Sequence, residues 1–175
     1  MRWVLALLVF AATAAIGHFV VLHAIPAKIM STAQTRMAER GVPLHDWAAS
    51  PRMTPQTQTI VRPSPDLFYA LCRFDTSEGP VRLSAPLGET YGSLSVFDSR
   101  TNNVFVTSLL EGSGFGEVIV HAPGERPATF GEGKETVELE GPGLALIRRL
   151  APSPAAFDAA NALMGGAVCE LADDL

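Results

Sequence analysis

Charge is missing from the start of this chain. Arg2 is the only charged side chain before Lys28, and the run from Trp3 to Ile25, about 23 residues, has no Asp, Glu, Lys or Arg. That excludes an ordinary surface helix. At 1.5 Å rise per residue the run covers roughly 34 Å, against about 30 Å of bilayer hydrocarbon, so it is long enough to span with some tilt. Cysteine is also scarce: Cys72 and Cys169 sit in no C-x-x-C or Cys/His spacing, which argues against a zinc site. Basic charge is thin, and the arginines are scattered from Arg36 to Arg149 with one adjacent pair, Arg148 and Arg149. The net charge is −5, and the part beyond the apolar run is more acidic still, since Arg2 precedes it. An acidic chain without a basic stripe does not bind nucleic acid through bulk electrostatics. G-x-S-x-G, H-E-x-x-H and D-x-D-x-D-G are all missing, which removes the recognisable hydrolase elbow, zincin helix and calcium loop.

What is present begins with the apolar run itself, which fits either a cleaved signal peptide or a retained signal anchor. Signal peptides usually carry an apolar stretch of about 7 to 15 residues and a small-x-small cleavage site. The best cleavage point here, after Leu22-His23-Ala24, has Leu at the first small position and Pro26 close behind. Retention is the expectation. The positive-inside rule, applied to Arg2 against Lys28, Arg36 and Arg40, would leave the remaining domain in the cytoplasm. The rule is weakest for long translocated domains, and the α-amino group adds a charge beside Arg2, so an exported domain is expected nonetheless. His18 and His23, five positions apart, do not share a helical stripe and fit tolerated or interfacial positions better than a proton relay.

The organisation that follows is residues 1–25 as anchor, 26–56 as juxtamembrane helix and linker, and 57–175 as a β-sandwich with a C-terminal helix and tail. Ile29, Ala33 and Met37 recur at helical spacing from Ala27 to Arg40, continuing past Pro26 and stopped by Gly41 and Pro43. His45 to Thr57 shows no periodicity and predicts a tether. Short runs rich in Val, Leu, Phe and Tyr, divided by Gly, Pro, Asp and Asn, then predict antiparallel strands. They fall at Thr59–Arg62, Leu67–Phe74, Val81–Ala85, Tyr91–Phe97, Val104–Leu109, Gly116–His121, Thr136–Glu140 and Leu144–Leu150. Asp75 to Pro80 and Asp98 to Asn103 are turns, the latter with Asn102 and Asn103 suited to left-handed conformations. Gly112-Ser-Gly-Phe-Gly116 lacks the spacing of a phosphate loop and predicts a hairpin loop. Ser153 caps a helix whose Phe157, Ala160 and Leu163 face the sandwich, broken by Gly165-Gly166.

Val61-Arg-Pro-Ser-Pro-Asp-Leu-Phe-Tyr69, then Phe74-Asp75, Glu78-Gly79-Pro80, and Tyr91 through Phe97-Asp98 to Thr101-Asn102-Asn103, carry a family resemblance. The chain resembles the bacterial family called domain of unknown function 1254 (DUF1254), over roughly Pro51 to Leu171. The resemblance implies a jelly-roll-like sandwich and a membrane protein of the bacterial envelope. It also implies a partner, a protein carrying the sister β-rich domain numbered 1214 (DUF1214). Ser64 stands where Asn is common in the family.

For chemistry, Asp66, Tyr69, Asp98, Asn102 and His121 are polar groups at strand ends that a sandwich could gather at one rim. A carboxylate pair with a histidine would serve a hard metal or general acid–base work. Asx turns, a satisfied Tyr hydroxyl and a surface His account for the same residues without a site, and Asp66, after Pro65, is placed to bond the backbone opening its strand. No catalytic residue, resident metal or cofactor is assigned. Cys72 and Cys169 are either small buried hydrophobes or, in an oxidising compartment, a disulfide tying the C-terminal tail to a core strand. The functional expectation is a noncatalytic binding or assembly module at the bacterial inner membrane with a periplasmic domain; the alternative is a metal-dependent or hydrolase-like enzyme on the rim cluster.

Overall fold

The computed structural model describes residues 1–54, 56, 63–112, 116–124 and 135–172. The strand expected at Thr59–Arg62, the middle of the Gly112–Gly116 loop and the acidic end of the tail lie outside the described residues.

The N-terminal run forms one helix, α1 (Arg2–Glu39). Pro26 lies inside it and costs one backbone bond and some steric relief, yet the helix continues, as the spacing of Ile29, Ala33 and Met37 predicts. Its apolar window is wholly exposed, with mean hydropathy 2.4, so α1 has the length and composition to cross a membrane. The second half meets the folded domain. Met30 is its one buried residue, Gln34 Nε2 donates to the Gly143 carbonyl at 3.2 Å, and Arg100 Nη2 reaches the His23 carbonyl at 3.5 Å. Gly41, at φ +82°, turns the chain away.

Two sheets form the sandwich. The larger has the order β1-β2-β8-β4-β5, from β1 (Trp47–Ala49), β2 (Leu67–Asp75), β4 (Gly92–Phe97), β5 (Asn103–Ser108) and β8 (Pro142–Leu150). The smaller has the order β7-β6-β3-β9, from β3 (Val81–Ser84), β6 (Glu117–His121), β7 (Thr136–Glu138) and β9 (Val168–Leu171). Strict alternation builds the interior: Phe68, Ala70, Cys72 and Phe74 of β2 point inward, as do Ala145, Ile147 and Arg149 of β8. Val81 and Leu83 of β3 and Val118 and Val120 of β6 face them from the smaller sheet. On its outer face Arg82 spans three strands, with Nε 3.1 Å from Glu117 and Nη1 3.5 Å from Glu170.

Three local features differ from the sequence pattern. Inside the stretch whose composition predicts a tether, Trp47–Ala49 pairs with Ala70–Cys72 and becomes an edge strand. The segment after Gly165-Gly166, predicted as tail, enters the smaller sheet as β9 and pairs with β3. β7 runs parallel to β6, so the smaller sheet is mixed rather than wholly antiparallel. The C-terminal helix α2 (Pro154–Ala162) forms as its cap predicts, with Ser153 Oγ accepting from the Ala156 N–H at 3.2 Å. Its Phe157 ring stands edge-on to Phe68, centroids 5.2 Å apart, which docks the helix over one open end of the sandwich.

Candidate functional site

The five polar residues at strand ends do not converge. Asp66 and Tyr69 lie where β2 begins, beside Leu150, whereas Asp98 follows Phe97, which lies beside Leu144 at the other end of β8. Six residues of strand separate those rows, about 20 Å. His121 ends β6 in the opposite sheet and is buried at 2 % exposure, not a surface histidine; its Nδ1 lies 2.9 Å from the Ala122 carbonyl. Among the described residues no group of three or more His, Cys, Asp or Glu is arranged to hold a metal ion.

Local bonds account for most of these polar groups. Asp98 Oδ1 accepts from the N–H groups of Arg100 and Asn102, both at 2.8 Å, and Oδ2 accepts from Asn102 Nδ2 at 2.7 Å. The left-handed residue of this turn is Thr101, at φ +67°, rather than either Asn. The turn that joins β4 to β5 is closed by the Thr101 N–H donating to the Asp98 carbonyl at 3.1 Å, and a β-branched residue at positive φ is strained there. At the other end Ser64, not Asp66, supplies the side chain that bonds the opening backbone: its Oγ accepts from the Asp66 N–H at 3.3 Å, while the Ser64 N–H donates to Tyr69 Oη at 2.9 Å. Asp98→Ala is therefore expected to lower stability by about 1 to 2 kcal/mol, Asn102→Ala by less. Thr101→Gly is expected to raise it by about 0.5 to 1 kcal/mol. Thermal melts of the three variants check this order, and wild-type melts for both of the first two would return the turn to candidacy as a site.

The cysteines do meet. Cys72 on β2 and Cys169 on β9 are joined across the two sheets, Sγ–Sγ 1.94 Å and Cα–Cα 6.6 Å.

A concave site lies at the end of the sandwich covered by α2. A cleft of about 480 Å³ opens between that helix, the end of β8 and the loops around Gly88 and Glu111. Its walls are apolar, from Leu87, Leu150, Ala156, Ala160 and Leu163. Arg149 also lines it, with 3 % of the residue exposed. Strand register puts Arg149 on the inward face, between Phe68 and Gly92. The two glycines beside it make the room: a Cβ on Gly92 would stand 3.3 Å from Arg149 Nη1 and 2.9 Å from Leu109 Cβ, and one on Gly88 would stand 3.4 Å from Nη1. Arg149 Nη2 donates to the Pro86 carbonyl at 2.6 Å, Nε has no partner, and no carboxylate among the described residues lies within 4.0 Å. Burial lowers its pKa, but a guanidinium stays charged at any physiological pH. The sequence carries a signal for this site. Counting by twos from Ala145 and Ile147 places Arg149 on the core face, where a charge is out of pattern.

The family described as "Protein of unknown function (DUF1254)" matches residues 45–170. No curated protein matches the chain. The fold is similar to that of the VPA0106 protein from Vibrio parahaemolyticus, at 16% identity and TM-score 0.64, over 84% of this chain and 35% of that one. An uncharacterised protein from Burkholderia cenocepacia aligns at 15% identity and TM-score 0.44, over 74% of this chain and 37% of that one. The chain thus spans about a third of the length of these solved structures.

Proposed function

The chain belongs to the DUF1254 family, and from that premise we propose that it is a noncatalytic binding module held at the bacterial inner membrane by α1, with its sandwich in the periplasm. The observation that carries this reading is the continuity of α1 from the apolar run to its docking contacts at Met30 and Gln34. Signal cleavage after Ala24 would have to unwind the middle of that helix, and Leu22 already makes the site poor. The helix meets the sandwich at the end bearing Gly143 and the β4–β5 turn, so the cleft beneath α2 opens at the end away from the anchor. Asp98 supports the noncatalytic reading, because both its oxygens are engaged within their own turn. A protein carrying the sister DUF1214 domain is the partner in this proposal, and co-purification from membranes addresses it.

Reporter fusions after Leu175 test the topology: a reporter active only in the periplasm is expected to work, and one active only in the cytoplasm to stay silent. The unfused 175-residue chain in the membrane fraction is expected at 18.6 kDa, with residues 1–24 retained. A cytoplasmic signal would overturn the localisation, and a mature chain lacking residues 1–24 would overturn the anchor.

A further inference from the structure

We propose that the cleft beneath α2 binds a small carboxylate monoanion with an apolar tail, the head on the Arg149 guanidinium and the tail along Leu150, Ala156, Ala160 and Leu163. The proposal deepens the binding-module reading by naming its ligand.

Three observations converge on this class. A guanidinium has five N–H donors in a planar fork that matches a carboxylate. Arg149 places one on a protein carbonyl, has an orphaned Nε, and lines a cleft whose volume of about 480 Å³ suits a small ligand. Burying a charge without a counter-charge is costly, and no acidic side chain among the described residues offsets it. An entering carboxylate does. The apolar walls then require a tail, because a bare anion would leave them wet.

The mouth narrows the choice further. Glu89 and Glu111 also line the cleft, but both are exposed and neither pairs with Arg149. Two carboxylates at the entrance disfavour a dianion such as a phosphate monoester, while a single charge seated on the floor guanidinium tolerates them. A neutral ligand of the same shape leaves Arg149 unpaired. Charge and shape together select the monoanion.

Equilibrium dialysis of the full chain in nanodiscs, with empty nanodiscs as the blank, tests this with labelled octanoate. One octanoate per chain is expected, with octanol and octyl phosphate each at least tenfold weaker. Arg149→Met is expected to weaken octanoate at least tenfold while leaving octanol unchanged. Ala156→Phe fills the cleft without touching Arg149, and is expected to abolish binding of both while the chain melts as a folded protein; it keeps the test decisive if Arg149→Met does not fold. No saturable octanoate binding by the wild type, equal binding of octanoate and octanol, or tighter binding of octyl phosphate would each overturn the proposal. None of these outcomes depends on which side of the membrane the domain occupies, so a failed topology test and a failed ligand test are distinguishable.

Discussion

Removing the Cys72–Cys169 bond is expected to produce the largest loss of stability of any two-atom change in this protein. The bond closes a loop with a sequence separation of 97 residues, and in the chain-entropy model a loop of about that size contributes up to roughly 4.7 kcal/mol by restricting the unfolded chain. For a domain of this size that corresponds to a fall of about 10 to 20 °C in Tm. The location adds to the expectation. Cys72 lies at the centre of β2 in the larger sheet and Cys169 in β9, an edge strand of the smaller sheet held to β3 by four paired positions. The link fastens a short edge strand to β2, which pairs with β8 along its whole length. Melts of the full chain in detergent, with and without reductant and for Cys169→Ala, measure the effect. Thiol labelling of the unreduced, denatured protein is expected to find no free thiol; two reactive thiols and superimposable melts would return both residues to the role of small buried hydrophobes.

Gly143→Ala is expected to be a severely damaging addition of a single methyl group to the sandwich. Gly143 pairs across the ladder with Phe74, and the fully buried Phe74 ring lies over it. A Cβ there would fall 2.5 Å from Phe74 Cε2 and 3.0 Å from Cε1, and closer still to Cζ. A ring with no solvent-exposed atoms has nowhere to retreat, so the strain passes into the packed interior between the sheets. A loss of about 3 kcal/mol follows, or about 6 to 12 °C in Tm. Phe74→Leu in the same chain should relieve part of it, making the double variant less costly than the sum of the singles. Gly165→Ala is the control: nothing lies within 4 Å of its added Cβ, and its melt should match wild type. A Gly143→Ala chain as stable as that control would mean that the ring is not held where the packing puts it.

Most of the sandwich is legible from the sequence because its long strands alternate cleanly. Phe68, Ala70, Cys72 and Phe74 interleave with Tyr69, Leu71 and Arg73, and that period of two fixes both the strand and its buried face. β9 is not legible for the opposite reason. Val168-Cys169-Glu170-Leu171 is four residues long and follows a glycine pair, so what makes it a strand is the waiting edge of β3 and not its own pattern. β1 is shorter still, and only its partner β2 identifies it. The parallel pairing of β7 reflects the path of the chain between strands, which local periodicity does not encode. The strand-end polar residues show a different limit. Sequence places Asp66 and Asp98 alike, next to strands, but only the register reveals that they stand at opposite ends of β8. Arg149 was hidden by its neighbour: beside Arg148 it reads as half of a surface basic pair, whereas alternate residues face alternate sides and just one of the two is on the surface.

The late position of β9 also sets a timetable for the chain as it is made. A ribosome delivers α1 before β2, but β8 follows some 70 residues after β2, and β9 at Val168–Leu171 comes later still. Until β9 emerges, β3 has a bare edge and Cys72 has no mate. The nascent polypeptide therefore cannot lock its sheets in step with synthesis. It remains an open, threadable chain until β9 has emerged, and the covalent closure of the sandwich follows only then.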